Sequence, residues 1–169
     1  TIQLTAKAIA EGYRKLIVAG GDGTLNEAVN GIFSQTICPS EEITLGMIPV
    51  GTGNDWIKTF GIPNQYEAAI KIIKKGKTMR QDVGSITFSK SDTAQTCYFA
   101  NMAGFGFDAM AAAMTNRLKN KGKKGFLLYL QALLLSLFRY KTGNVKIVID
   151  DRGMEELIFS VSIGIGRYN

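Results

Sequence analysis

Two short stretches hold most of the residues that could do chemistry. The first is Gly20-Gly21-Asp22-Gly23-Thr24 and the second is Gly51-Thr52-Gly53-Asn54-Asp55. Glycine lets the main chain approach phosphate oxygens closely, and free N–H groups at a helix start favour an anion. Asp22 and Asp55 stand in turns otherwise suited to anions. A carboxylate beside a polyphosphate repels it unless a cation lies between them, so the pair points to Mg²⁺, held directly or through water. Thr24, Thr52 and Asn54 add short hydrogen-bonding side chains of the helix N-cap type. The bland alternative is a pair of tight turns with capping residues. Two such loops at one sheet edge, each with an Asp, favour a ligand site.

Several other chemistries are excluded. The chain has no histidine, which removes Ser-His and Cys-His catalysis and most zinc sites. Cys38 and Cys97 are far apart and lack metal-type spacing, as expected of free buried thiols in a reducing compartment. Gly104-Phe105-Gly106-Phe107-Asp108-Ala109 matches the dinucleotide pattern G-x-G-x-x-A. That fingerprint also needs an acidic residue about twenty positions on for the ribose, and none occurs from Ala109 to Ile149. No GxxxxGK[ST] is present, so this is not a P-loop ATPase.

The elements that must hold the two turns are legible as patterns. Residues 5–13 read as the end of a helix, and 16–19 as a short apolar strand that stops at two glycines. Residues 25–33 place Leu25, Ala28, Val29 and Ile32 at helical spacing. Residues 45–50 form a second apolar strand ending in glycine, followed by a short helix at 55–60 and a longer one at 66–75 stopped by Gly76. This order implies a parallel sheet covered by helices, with ligands at the carboxyl ends of its strands. Beyond Gly76, strands are expected at 79–89, 96–102, 144–150 and 157–165, interrupted by helices at 108–119 and 126–140. A domain boundary is expected near residue 80, with an α/β unit at 1–80 and a mostly antiparallel β unit at 81–169.

With 169 residues, 46% of them hydrophobic, the chain has ample material for a packed core. Its net charge of +6 is regional. Between Asp108 and Asp150 there is no acidic residue, but Arg117, Lys119, Lys121, Lys123, Lys124, Arg139, Lys141 and Lys146 occur there. An acidic partner should be sought at that segment. The longest apolar stretch, 126–138, is too short to span a bilayer, and the N-terminus is not a signal peptide; a soluble or peripheral protein is expected.

GGDGTLNEAVNGI followed by LGMIPVGTGNDW resembles the catalytic domain of the diacylglycerol kinase family, which includes sphingosine kinases and bacterial lipid kinases. QDVGSI, YFANMAGFGFDA and the basic-apolar helical stretch are similar to that family in the same order, over nearly the whole chain. GGDGT alone is less specific, because NAD kinases and phosphofructokinases carry related loops; the combination with GTGND points to lipid kinases. The resemblance implies a parallel-sheet nucleotide-binding α/β domain, whose first strand precedes this sequence. Part of an antiparallel β-sandwich carrying inserted helices would follow it. It implies Gly20, Gly21, Asp22, Gly23 and Thr24, with Gly51, Thr52, Gly53 and Asn54, along the phosphates of ATP. It also implies Asp22, Asp55 and Asp82 in a Mg²⁺–water network, with Asp22 and Asp82 catalytic. Phosphoryl transfer is mostly positioning and charge neutralisation, so such a set can suffice without histidine. Read without the family, Asp82 is equally a turn or strand-end residue.

Family members begin with a strand and an Asn-Pro loop, and continue past Gly166 into Asp-Gly motifs that include the proposed general base. The sequence is therefore expected to be a central fragment of a longer enzyme. The resemblance further places Asp108 near a lipid head group. The helix at 126–140 carries Leu127, Leu130, Leu134 and other leucines over too much of its circumference for one buried stripe. It reads either as a helix buried on several sides or as part of an acyl-chain channel. Its basic flanks would hold the mouth against an anionic membrane. No nucleic-acid motif or aromatic stacking stripe accompanies the basic residues, so nucleic acid is not an expected partner. The expected function is transfer of the γ-phosphate of Mg-ATP to a lipid hydroxyl at a cytoplasmic membrane face. The alternatives are an NAD kinase-like or other kinase of a soluble acceptor, or a non-catalytic membrane-associated nucleotide-binding module.

Overall fold

The structure is a computed structural model in which residues 1–120 and 126–166 are described. Lys121, Lys123 and Lys124 of the expected basic segment lie outside the described residues. Packing divides the chain into two compact units, one of residues 1–102 and 164–169 and the other of residues 103–163.

The first unit opens with helix α1 (Ile2–Ala10), strand β1 (Lys15–Gly20) and helix α2 (Asp22–Ser34). A 3-10 turn (Ser40–Glu42) leads into strand β2 (Thr44–Pro49), which pairs parallel with β1 in the register Leu16↔Leu45 to Gly20↔Pro49. Short helix α3 (Asp55–Thr59) and helix α4 (Tyr66–Lys75) follow. The helices lie where the apolar spacing requires. Leu25 and Val29 of α2 join Met47 of β2 and Trp56 and Ile57 of α3 in one buried cluster that also holds Ala100. Helix α1 approaches α2 so closely at Gly31 that a Cβ there would lie 2.6 Å from the Ile2 carbonyl oxygen. Gly76 ends α4 in the left-handed conformation, as its sequence position implies. Although its sequence is apolar throughout residues 16–19, strand β1 is not buried on both faces: Ile17 is 59% exposed, and the face carrying Val18 is covered by α2 and the core.

Strands β3 (Gly84–Lys90) and β4 (Thr93–Phe99) form an antiparallel hairpin in this same unit. By packing, the hairpin groups with residues 1–80 in this unit. One side chain of α2 bonds directly to this hairpin. Asn30 of α2 donates from Nδ2 to the Tyr98 carbonyl at 2.8 Å and accepts the Tyr98 N–H at 2.9 Å, pairing with β4 as another strand would. Phe33 stacks on the Tyr98 ring beside it.

The strand expected over 79–89 begins only at Gly84, and 79–83 is irregular. The strand expected over 96–102 is two, β4 and β5 (Met102–Gly106), separated by Ala100 and Asn101. Likewise 157–165 divides into β7 (Arg152–Ile158) and β8 (Ser160–Gly164) at Phe159. These breaks fall where side-chain and backbone bonds hold the chain out of a ladder: Gln81 bonds to the Ala100 carbonyl, and Phe107 N–H donates to the Phe159 carbonyl.

The second unit contains helices α5 (Phe107–Asn120) and α6 (Phe126–Arg139), packed on one another, and the antiparallel hairpin of β6 (Gly143–Ile149) with β7. Phe107, Tyr140 and Phe159 form a small aromatic cluster here. Gly106 has a φ of +79°, and a Cβ on it would meet the Phe159 carbonyl at 2.7 Å, which accounts for that glycine without a bound dinucleotide. Among the described residues the strands form four two-stranded sheets, β1-β2, β3-β4, β5-β8 and β6-β7.

Candidate active site

Parallel pairing of β1 and β2 brings their carboxyl ends side by side, and both glycine turns leave from that edge. Val50 N–H donates to the Gly20 carbonyl at 2.8 Å, continuing the pairing into the turns. The approach tolerates no side chain. A Cβ on Gly51 would lie 2.5 Å from the Gly21 Cα, and one on Gly20 would lie 2.5 Å from the Thr24 Cβ.

Helix α2 starts at Asp22, so Asp22, Gly23 and Thr24 form its first turn, and Gly21 occupies the N-cap position without a side-chain cap. Thr24 is thus not a capping residue; it packs over Gly20 instead. The first-turn N–H groups of α2 are available to an anion. Two of those of α3 are not. Asp22 Oδ2 accepts the Asp55 N–H at 3.1 Å and Asp22 Oδ1 accepts the Trp56 N–H at 3.0 Å, so a carboxylate of the first turn caps the helix of the second. Asn54, at the α3 N-cap position in left-handed conformation, makes no capping bond of its own. It is 1% exposed and donates from Nδ2 to the Gly51 carbonyl and to Asn64 Oδ1, both at 2.8 Å. Its Oδ1 has no partner among the described residues and faces the Gly21–Gly51 approach. Thr52 is exposed.

Asp22 and Asp55 converge above Gly53. A Cβ on Gly53 would lie 3.3 Å from Asp22 Oδ2 and 3.5 Å from Asp55 Oδ2. Lys58 Nζ pairs with the other Asp55 oxygen at 2.5 Å. Two carboxylates sharing so small a volume, above backbone with no side chain, suit a hydrated divalent cation. Among the described residues no group of three acidic or thiol side chains could ligate a metal directly. A cation shared by Asp22, Asp55 and Asp82 would therefore be reached partly through water. Asp82 is exposed and does not line the cavity that Asp22 and Asp55 share. That cavity, of about 290 Å³, is bounded by Asp22, Asn26, Asp55, Trp56, Ala100 and Asn101, among others.

Sequence reasoning missed the amides around this cavity. Gln81 Oε1 accepts the Trp56 Nε1–H at 2.8 Å, and Gln81 Nε2 donates to the Ala100 carbonyl. Asn101 Oδ1 is buried and has no partner among the described residues. One signal was present: a lone tryptophan in an apolar core demands an acceptor for its indole N–H.

In the second unit, Asp108 stands in the first turn of α5. Its Oδ2 accepts the hydroxyls of Ser160 at 2.7 Å and Ser162 at 3.1 Å, both on β8. With both hydroxyl protons turned inward, the cluster has only acceptor atoms left to offer a ligand. Leu130 and Leu134 are exposed on α6, as are Leu137 and, at 85%, Phe138. The Leu127 side chain lies outside the described residues. No helix among the described residues is long and apolar enough to cross a membrane.

The fold and this edge define a mixed α/β protein with a parallel strand pair and a polar site where its strands end. Comparison with known proteins narrows that class. Residues 1–86 match the diacylglycerol kinase catalytic domain family. The chain is 32% identical over 161 residues to a diacylglycerol kinase of Mycobacterium tuberculosis, covering 95% of this chain and 48% of that protein. It is 39% identical over 101 residues to a diacylglycerol kinase of Staphylococcus saprophyticus, covering 60% of this chain and 29% of that one. A crystal structure of a putative diacylglycerol kinase from Bacillus anthracis superposes with a TM-score of 0.68 at 28% identity, covering 99% of this chain and 50% of that one. The chain belongs to the diacylglycerol kinase catalytic domain family. It spans about half the length of the Mycobacterium tuberculosis relative.

Proposed function

We propose that the protein is an ATP-dependent lipid kinase, transferring the γ-phosphate of Mg-ATP to a hydroxyl of diacylglycerol or a related lipid. The observation that carries this reading is the closure of two glycine turns on one another at the carboxyl ends of β1 and β2, with Asp22 and Asp55 converging above Gly53. The uncapped first turn of α2 binds the phosphates through its N–H groups, and Gly20, Gly21 and Gly51 let the main chain approach them. Gly23, Thr24, Thr52, Gly53 and Asn54 complete that lining. Asp22, Asp55 and Asp82 hold Mg²⁺ through water, and the bound cation supplies charge neutralisation at the phosphate oxygens. Asp22 and Asp82 are the catalytic carboxylates of this reading.

The second half, together with the β3-β4 hairpin, is read as part of an antiparallel β-sandwich that takes the lipid. Asp108 accepts a hydrogen bond from the head group, and Leu130 and Leu134 face the acyl chain; the Leu127 side chain, expected beside them, lies outside the described residues. The exposed apolar residues of α6 and the acid-free basic segment support docking at an anionic, cytoplasmic membrane face.

The test is to incubate the full-length protein with labelled ATP, Mg²⁺, a mixed lipid extract and soluble acceptors including NAD and sugar phosphates. Label is expected in the lipid phase. Label confined to a soluble acceptor would replace the lipid assignment with an NAD kinase-like one. No transfer, combined with an ATP-induced thermal shift, would leave a nucleotide-binding module.

A further inference from the structure

We infer that Gln81 is a positioning residue for the catalytic site, an amide clamp that sets the wall of the cavity shared by Asp22 and Asp55. The inference rests on the reading of that cavity as catalytic. Gln81 joins three segments distant in sequence. Its Oε1 accepts the indole Nε1–H of Trp56, whose backbone N–H donates to Asp22 Oδ1. Its Nε2 donates to the carbonyl of Ala100, which lies between β4 and β5 beside Asn101. Trp56, Ala100 and Asn101 all bound the cavity, and Asp82 is the next residue along the chain. Through this one side chain, Asp82 is tethered to the helix that carries Asp55.

The chemistry admits few substitutes. An indole nitrogen can only donate and a backbone carbonyl can only accept, so the clamp needs one acceptor and one donor on the same planar group. Both partners are buried, Trp56 at 8% and Ala100 at 4% exposure, so water does not readily replace a lost bond. A side chain with only apolar atoms meets neither partner, and one with only acceptor atoms meets the indole alone.

The experiment compares wild type, Gln81→Met, Trp56→Phe and the double variant at one pH, since methionine keeps the side-chain length and removes both bonds. Measured quantities are kcat, KM for ATP, and the indole ¹⁵N–¹H resonance of Trp56, assigned by its loss in Trp56→Phe. Melting temperature confirms that the variants are folded. Gln81→Met is expected to lower kcat about tenfold with KM for ATP within about threefold, and to shift the indole resonance. The double variant is expected to be no slower than Gln81→Met, because both single changes break the same bond. Gln81→Met with wild-type kcat overturns the inference, as does a double variant whose loss is the product of the two single losses. If wild type transfers phosphate to no acceptor, the kinase reading fails by itself. The clamp is then judged by ATP-induced thermal stabilisation, which must fall in Gln81→Met or the inference falls too.

Discussion

Replacing Asp22 with alanine removes the two bonds by which α2 caps α3, at 3.1 and 3.0 Å, and leaves the Asp55 and Trp56 N–H groups without those acceptors. Loss of an ordinary N-cap costs about 0.5–2 kcal/mol. Here one ionised group accepts two N–H donors, which moves the cost to the upper end. Asp22 is only half-buried, so water recovers part of the loss, and about 2 kcal/mol is the expected net. Helix α3 has five residues, too few to hold its shape without a cap and the packing of Trp56 and Ile57. Against a total stability of about 5–15 kcal/mol the protein remains folded. Asp22→Asn keeps one oxygen and should lose about half as much. Urea unfolding followed by Trp56 fluorescence measures this, provided the slope with denaturant is unchanged. A loss below about 0.5 kcal/mol for Asp22→Ala, or a larger loss for Asp22→Asn than for Asp22→Ala, would refute the capping argument. In the kinase assay, both variants should be equally inactive if the reaction requires the charge. Activity retained in Asp22→Asn alone would show that capping was the whole contribution.

Gly51→Ala should lower stability by about 1–3 kcal/mol and weaken ATP-induced thermal stabilisation, because its methyl group would lie 2.5 Å from the Gly21 Cα. Gly23→Ala in the first turn of α2 meets nothing within 4 Å and should leave the melting temperature unchanged or slightly higher. Asn30→Leu leaves the Tyr98 N–H and carbonyl without their shared partner and should cost about 2–3 kcal/mol in urea unfolding; a cost under 1 kcal/mol would mean that water replaces it. Vesicles containing phosphatidylglycerol should co-sediment the protein at about 50 mM salt and release most of it at about 500 mM. Equal binding to neutral vesicles would discount the basic segment.

The elements around the β1-β2 edge were legible because their signals are local. Apolar runs ending in glycine, the helical spacing of Leu25, Ala28, Val29 and Ile32, and Gly76 as a stop each act within one turn or strand. The middle of the chain was less legible because its breaks are set by distant groups. Nothing near residue 100 announces that β4 must end there; Gln81 and Asn30, nineteen and sixty-eight residues from their partners, hold that segment.

By itself the sequence determined the kind of site. Two glycine turns, two aspartates and an absence of histidine restrict the chemistry, since residue type fixes which atoms can accept, donate or carry charge. Only the tertiary structure decided how those atoms are used. It spends both oxygens of Asp22 on the start of α3, leaves the N–H groups of α2 open, and turns Ser160 and Ser162 inward on Asp108. A side chain's identity states what it can bind; which partner it binds depends on what the fold brings within about 3 Å of it.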